Sequence, residues 1–353
     1  MHCLHDKIIS MEILENVNLK EYNTFMLPSI ARYFVEINNI EDLYTLINSD
    51  LYKNTQKKYF LWQWANTIFT KDFEGLIIKI NIMWKEILKS DDEVLIKVWA
   101  WEIRCDFVSR CAENNFVWME NLSYIPSNVW ASAVQNIWAY WAEAKDVIYE
   151  VEWIDLITWE AKRFKNEECK FWYRDSIFKH EYRDKFLITY VTYKLKKYSN
   201  DYKFNCEYAG INEKIIELWL DSQTISPTEF VQVITEIRKW KLPDWHEIGT
   251  AWSFFKNPVI STQQWNVLQQ KFPELKWFVV EEWIKLSAWQ LIDMCGYKWK
   301  WNWKVWTYKT HALILVNEWD ATWVDVLGFS KEIQNAVLNK FWVKLEPEAI
   351  FVE

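Results

Sequence analysis

Short apolar runs alternate with stretches of helical spacing along the whole chain. KKYFLW (57–62) is a compact apolar segment, and GLIIKINIM (75–83) and VLIKVWA (94–100) read as strands. IRCDFVSRCAENN (103–115) has helical spacing. DVIYEVEWIDLITWEAKRF (146–164) predicts two strands joined by a turn at Thr158-Trp159, and FLITYVTYKLKK (186–197) a strand with alternating faces. Residues 198–212 read as a linker. SPTEFVQVITEIRKWKLPD (226–244) opens with a serine cap and Pro227 in the first turn, then runs as a helix until Pro243. A second helix starts near Ser287, and HALILVN (311–317) is a buried strand. SKEIQNAVLNKF (330–341) is the last helix, followed by a strand-like tail, VKLEPEAIFVE. Strands and helices without regular βαβ repetition predict an α+β protein.

At 353 residues the chain can hold two or three domains with a sizeable core. Its net charge of −8 argues against a nucleic-acid phosphate footprint. No apolar run reaches the roughly 18 residues of a membrane span, and the start MHCLHDKIISMEILEN lacks a secretory pattern. Met11 is an alternative initiator. The six cysteines form no CxxC pair and no metal-ligand spacing, so they read as reduced thiols of a cytoplasmic protein. His2, Cys3 and His5 read as a frayed terminus rather than a metal tract, and no metal is expected.

Two counts are out of proportion: 27 tryptophans and 5 glycines. Average usage, about 7% glycine, predicts roughly 25 glycines in a chain of this size. The tryptophans stand where glycine belongs, as in LWQWAN (61–66), VWAWE (98–102), ITWEAK (157–162) and KWKWNWK (298–304). The expectation is that most are glycines, encoded by UGA in a bacterial lineage that reads this codon as glycine. Under that reading Trp62-Gln63-Trp64-Ala65-Asn66 is a strand followed by a glycine loop. Such backbone adopts positive φ and brings its N–H groups close to phosphate oxygens. Trp99-Ala100-Trp101-Glu102 is a second turn of the same kind. The lysine- and tryptophan-rich run at 297–317 becomes a basic loop leading into a strand rather than a membrane-surface peptide.

Longer motifs add a resemblance. MENLSYIPSNVWASAVQNIWAYW (119–141), ECKFWYRDSIFKHEYRDKF (168–186), KLPDWHEIGTAWSFFKNP (241–258), KLEPEAIF (344–351) and EYNTF (21–25) resemble, in order, the signatures of the UDP-N-acetylenolpyruvoylglucosamine reductase (MurB) family. The similarity runs over residues 19–353. Tryptophan falls where the family has glycine at 62, 64, 99, 101, 118, 130, 138, 141, 172, 252 and 342. The resemblance implies an N-terminal extension (1–18), a PCMH-type FAD-binding domain of two α+β subdomains (19–201) and a C-terminal α+β substrate domain (202–353) whose tail returns to the active site. Its tyrosine-loop branch fits best.

The same resemblance implies which residues work. FAD would be held by Trp62, Gln63, Trp64, Ala65 and Asn66, by Trp99, Trp101 and Glu102, and by the segment containing Ile125, Pro126, Ser127, Val129, Trp130, Ala131, Gln135, Asn136, Trp138, Ala139 and Tyr140. Ala65 and Ser127 depart from the family's usual serine and glycine. Arg174 would hold the enolpyruvyl carboxylate, Ser253 would donate the proton, and Glu348 would stabilise charge at the enol. Tyr208, Lys241 and Asn257 would contact the nucleotide sugar, and NADPH would reduce the flavin. The implied enzyme acts on a small molecule as a monomer, with no nucleic-acid or membrane partner.

Each residue has a plainer reading. Arg174 could pair with Asp175 or Asp184, Ser253 could be a turn hydroxyl, and Glu348 a solvated charge with Glu346 as competitor. Tyr208 lies in NCEYAGI, which departs from the family's Tyr-Gly-Asp. Two other functions stand beside the reductase: a PCMH-type oxidoreductase with a different substrate, and a tryptophan-rich sugar-binding module.

Overall fold

The computed structural model describes residues 11–353 apart from 62–66, 82–84, 91–92, 184, 209, 245 and 319, with backbone alone for 85–90. β1 (Ile13–Asn18), β2 (Ile30–Ile37), β3 (Lys58–Leu61), β4 (Thr67–Phe69) and β5 (Phe73–Ile80) form the N-terminal part. Four of them make one sheet in the order β1-β2-β5-β3, parallel except where β1 runs antiparallel to β2. The segment expected to be an extension therefore supplies an edge strand. α1 (Ile40–Asn48) follows β2 and is capped by Asn39, whose side chain accepts from the Asp42 N–H. Gly75 lets β5 lie tightly against the chain at Lys57, since a Cβ there would sit 2.3 Å from the Lys57 carbonyl oxygen.

A second, antiparallel sheet follows, built from β6 (Lys85–Ser90), β7 (Glu93–Trp99), β8 (Ile148–Asp155), β9 (Ala161–Lys165) and β10 (Phe186–Lys197) in the order β9-β8-β10-β7-β6. α2 (Arg104–Glu113) and the short α3 (Trp130–Gln135) lie between β7 and β8 in the chain. The β8–β9 hairpin turns where the sequence places it, with Trp159 at φ +61°. β10 is buried on both faces over most of its length, so it hides more side chains than simple alternation predicts.

The C-terminal part contains α4 (Pro227–Lys241), β11 (Gly249–Ser253), β12 (Val259–Ser261), β13 (Trp277–Val280), β14 (Trp283–Leu286), α5 (Ala288–Met294), β15 (Val305–Tyr308), β16 (His311–Asn317), α6 (Trp323–Phe341) and β17 (Ile350–Val352). β11, β16 and β15 are neighbours in one sheet, and β12, β14 and β13 in another. The predicted Ser226 cap is a full capping box with Glu229. α6 starts seven residues earlier than SKEIQ suggests. Thr322 caps it with Asp325, and buried Val326, Phe329, Ile333 and Val337 carry the helix through Gly328. β17 returns to pair in parallel with β4.

The core does not divide at residues 201 and 202. Ile211, Ile215, Phe230, Val233, Ile234 and Ile237 pack into the core of the second sheet, whereas the C-terminal core runs from Ala251 to Ala349 and takes in Phe25, Leu27 and Ile68. No described helix is long and apolar enough to cross a membrane, and the described residues contain no cluster of metal-ligating side chains.

Backbone geometry bears directly on the tryptophans. Trp118, Trp141, Trp159, Trp219, Trp252, Trp299, Trp303 and Trp342 all have φ between +50° and +100°. That region costs an L-residue about 1–2 kcal/mol and is unusual for any bulky side chain. Several occupy standard glycine positions. Trp342 caps the C-terminus of α6 in the left-handed conformation, and Trp303 sits in the tight turn before β15. Trp219 and Trp303 are 95% and 94% exposed, so their indoles gain almost nothing by burial. In the interior, the indole N–H groups of Trp99, Trp289 and Trp306 are buried with no acceptor among the described residues.

Candidate active site

Ser253 ends β11 at a bulge. Thr250 pairs with Val316 and Ser253 with Ile314, so β11 carries one residue more than its partner. Trp252 lies in that bulge at φ +50°, and a bulge re-aims the side chain that follows it. Beyond Ser253, the buried Phe254 and Phe255 anchor the segment, and the Phe254 N–H donates to the Leu313 carbonyl at 3.0 Å. The tail then lies alongside. The Glu348 N–H donates to the Phe254 carbonyl at 2.7 Å, the Lys256 N–H donates to the Glu346 carbonyl at 2.9 Å, and Phe255 bridges Pro347. These links bring the acid of LEPE to the serine segment across almost a hundred residues of sequence.

Arg174 meets Glu348 there. Its Nε lies 3.7 Å from Glu348 Oε1, with the two side chains 21% and 14% exposed. Asp175 is instead taken up by His180, at 2.6 Å, and by the Ser176 N–H; Asp184 lies outside the described residues. Glu346 is excluded as the inner acid because its side chain is 64% exposed and pairs with Lys256 at the rim. Arg174 occupies the corner of a tight turn in which Trp172 and Asp175 exchange two backbone hydrogen bonds, and its φ is +54°. A non-glycine residue held in this conformation stores strain that the surroundings must support. Tyr173 is hydrogen-bonded to Asn257, whose Oδ1 accepts the Ala288 N–H at the start of α5.

The expected flavin positions form one cross-linked backbone, apart from Trp62, Gln63, Trp64, Ala65 and Asn66, which lie outside the described residues. The Trp130 N–H donates to the Ala100 carbonyl at 2.8 Å, the Val129 N–H to the Glu102 carbonyl at 3.0 Å, and the Asn128 amide to the Trp101 carbonyl. Buried Arg104 fastens the Ile125–Ser127 stretch through the Ile125 carbonyl and the Ser127 hydroxyl. After Ala131 and Gln135, Asn136 ends α3 at φ +40°. Its side chain accepts the Lys145 N–H and donates to Glu143. Trp138 and Ala139 pair with Glu143 and Ala142, and Tyr140 and Trp141 make the turn between them with positive φ. The Glu102 carboxylate is committed to Arg110. Indoles crowd this framework: Trp99 and Trp101 lie 5.1 Å apart, Trp99 meets Tyr190 edge-on at 4.5 Å, and Trp99, Trp101 and Trp130 are all buried.

Glu120 closes the same segment. Its carboxylate accepts the Trp118 N–H, and burial pushes it up to about 7 against the hydrogen bonds it receives. The folded state therefore holds this proton more tightly than the unfolded chain. Its penalty is present above about pH 7 and is relieved as pH falls toward the ordinary carboxylate range. Glu120→Gln should flatten the pH dependence of unfolding free energy between about pH 4.5 and 7 by up to about 3 kcal/mol, read from denaturant midpoints. An unchanged slope would contradict this account.

Two of the expected substrate residues, Tyr208 and Lys241, gather beside Tyr140, while Asn257 lies with Tyr173. Tyr208 meets Tyr140 edge-on at 4.5 Å, and Lys241 Nζ lies 5.2 Å from the centre of the Tyr208 ring. His311 adjoins them. Burial first, then the neighbouring Lys241 and Lys298, hold its imidazole down to about 4, so it is neutral at pH 7. Four residues escaped the sequence reading, three of them inside quoted motifs. Arg238 is a half-buried cation that donates to the Tyr124 carbonyl at 2.8 Å and stacks on Tyr140 and Trp252. Its signal was a charge on the helix face that buries Phe230, Ile234 and Ile237. Tyr173, Lys179 and Lys285 are the others. Lys285 is 6% exposed and lies 4.5 Å from the centres of both the Tyr173 and Trp138 rings.

Known proteins resemble this chain in sequence and fold. Residues 244–352 match the family model described as UDP-N-acetylenolpyruvoylglucosamine reductase, C-terminal domain. The UDP-N-acetylenolpyruvoylglucosamine reductase of Flavobacterium johnsoniae is 39% identical over 96% of this chain and 99% of its own length. That of Aliivibrio fischeri is 35% identical over 97% and 95%. The crystal structure of the Thermus caldophilus enzyme superposes with a TM-score of 0.61 at 20% identity, covering 96% of this chain and 98% of that one. The fold and these relatives thus define an α+β oxidoreductase. Within that class, the chain belongs to the UDP-N-acetylenolpyruvoylglucosamine reductase family.

Proposed function

We propose that this enzyme reduces UDP-N-acetylglucosamine enolpyruvate to UDP-N-acetylmuramate for peptidoglycan synthesis, with NADPH as reductant and FAD as the bound carrier. The observation that carries the reading is the Arg174–Glu348 pair laid beside the bulge that presents Ser253. The FAD cradle is consistent with its backbone but not with its indoles. The turns at 99–102 and 125–130 are tied edge to edge, yet Trp99, Trp101 and Trp130 fill the space that glycine would leave open. With glycine at these positions, as we propose for the natural protein, the residues suit the flavin. Bound FAD would supply hydride acceptance and donation.

The chain's own groups would do the rest. The Arg174 guanidinium would hold the enolpyruvyl carboxylate with a planar, permanently charged fork. Ser253 would donate a proton to the substrate carbon. An alcohol is a weak acid, so this role depends on a surrounding field that stabilises its conjugate base. Glu348 would balance charge at the enol. Lys241 and Tyr208 would take the nucleotide-sugar end, where neutral His311 adds no competing charge. Asn257 would meet substrate through its amide N–H, since its oxygen accepts from the start of α5 and its amide also bonds Tyr173. We place the enzyme in the cytoplasm as a monomer.

Flavin-loaded protein should oxidise NADPH beyond one equivalent per flavin only when UDP-N-acetylglucosamine enolpyruvate is present. Sustained oxidation without that substrate, or none with it, would overturn the proposal. The two acids of LEPE give a sharper check. Glu348→Gln should lower kcat by about 10²-fold or more, whereas Glu346→Gln should stay within about twofold, because only Glu348 faces Arg174. Equal effects in a steady-state assay would show the assignment to be misplaced.

A further inference from the structure

Lys179 lies in the short 3₁₀ turn Ile177–Lys179 that follows the arginine corner. Its first anchor is Ser176, whose hydroxyl donates to the Val134 carbonyl at 2.6 Å and ties this turn to α3. From there the Lys179 ammonium reaches back five residues and donates to the Arg174 carbonyl at 2.8 Å. That carbonyl belongs to the residue at φ +54° whose guanidinium meets Glu348. The left-handed corner needs outside support, since an L-residue there is disfavoured by about 1–2 kcal/mol. Lys179 is half-buried, and the charged groups around it come from three segments: Arg174 and Asp175 on its own motif, Glu348 on the tail and Lys256 after β11.

We propose that Lys179 is a positioning residue for the reaction: its ammonium fixes the strained corner that aims Arg174 at the substrate carboxylate. The inference rests on the reading of Arg174 and Glu348 given above. Lys179 need not touch substrate. A carbonyl held by a cation cannot swing, so the arginine fork keeps its direction as substrate enters, when part of its pairing with Glu348 is exchanged for the substrate carboxylate. Burial, with Lys256 and Arg174 adding like charge, lowers the Lys179 ammonium to about 8, while Glu348 and Asp175 oppose the shift. The cation is therefore present below pH 8 and is lost as pH rises through that value, which gives the alkaline side of the activity profile a definite origin.

The test uses full-length, flavin-loaded protein with Lys179→Met, Lys179→Arg and Arg174→Ala, assayed for flavin content, kcat, KM and pH profile. Lys179→Met should keep its flavin and lose about 10- to 100-fold in kcat, with KM moving less than kcat, as expected for a misaimed group. Lys179→Arg should recover most of kcat, and its alkaline limb should move upward because a guanidinium does not titrate there. Normal kcat in flavin-loaded Lys179→Met overturns the proposal. If that variant loses its flavin, Lys179→Arg decides: an alkaline limb that moves up supports the role, and an unmoved limb overturns it. Arg174→Ala separates the two levels. Full turnover in that variant sinks the site assignment itself, whereas its loss alongside normal Lys179 variants sinks only the role of Lys179.

Discussion

Glycine in place of tryptophan at positions 118, 141, 219, 299, 303 and 342 should raise the unfolding free energy by roughly 3–6 kcal/mol. Each of these residues has positive φ, where an L-side chain costs about 1–2 kcal/mol and glycine nothing. The greater freedom of glycine in the unfolded chain offsets about 0.5–1 kcal/mol of each gain. Almost no burial is forfeited at Trp219 and Trp303, 95% and 94% exposed, whereas Trp118, Trp141 and Trp342, 38%, 45% and 54% exposed, give up part of theirs and draw the expected gain toward its lower end. A gain of this size rivals the net stability of an ordinary domain, about 5–15 kcal/mol, so a chain carrying all six indoles would be marginal. Denaturant midpoints of the two chains provide the measurement. No gain, or a loss, would refute the conformational argument.

The interior positions should act on the cofactor rather than on stability alone. Trp99→Gly, Trp101→Gly and Trp130→Gly together should open the cradle, and the protein should then purify yellow with bound FAD. The tryptophan-bearing chain should bind it poorly. Stoichiometric flavin in that chain would mean that these positions have been misread. The codons speak independently: UGA should stand at these sites, and the intact mass of the native protein should match glycine. UGG codons would end the proposal.

The second large effect concerns Ser253. Ser253→Ala should leave flavin reduction by NADPH intact and lower turnover of the enolpyruvyl substrate by about 10²–10⁴-fold, the usual contribution of a placed proton donor. Separate half-reactions, followed by flavin absorbance, distinguish the two steps. Normal reoxidation by substrate would remove Ser253 from the proton path. Loss of both half-reactions would mean that the change had disturbed the bulge instead, where Trp252 already sits at φ +50°.

Much of this protein could be read along the chain because the relevant signals are local. The strand at 311–317 has the predicted bounds, the serine cap and Pro227 start α4 where expected, and the 158–159 turn joins β8 to β9. Hydrophobic period, capping chemistry and turn residues act within a few positions, so a linear reading captures them. The start of α6 was missed because Gly328 interrupts the pattern and tertiary burial of Val326 and Phe329 overrides it. Arg174, Ser253 and Glu348 could be nominated from motifs, which put Glu348 ahead of Glu346, and the fold adds that only Glu348 faces Arg174.

Sequence by itself determined the mixed α+β character, the candidate residues and the imbalance between tryptophan and glycine. Only the tertiary structure decided which acid faces Arg174, that α4 belongs to the core of the second sheet, and that Arg238 and Lys179 support the site. Those choices rest on backbone links between segments far apart in the chain, such as Phe254 with Glu348, which have no local signature. The same division holds for the tryptophans. Their number is a property of the sequence, but the left-handed φ at eight of them comes from the turns and caps of the folded backbone, which set the conformation whatever side chain is attached.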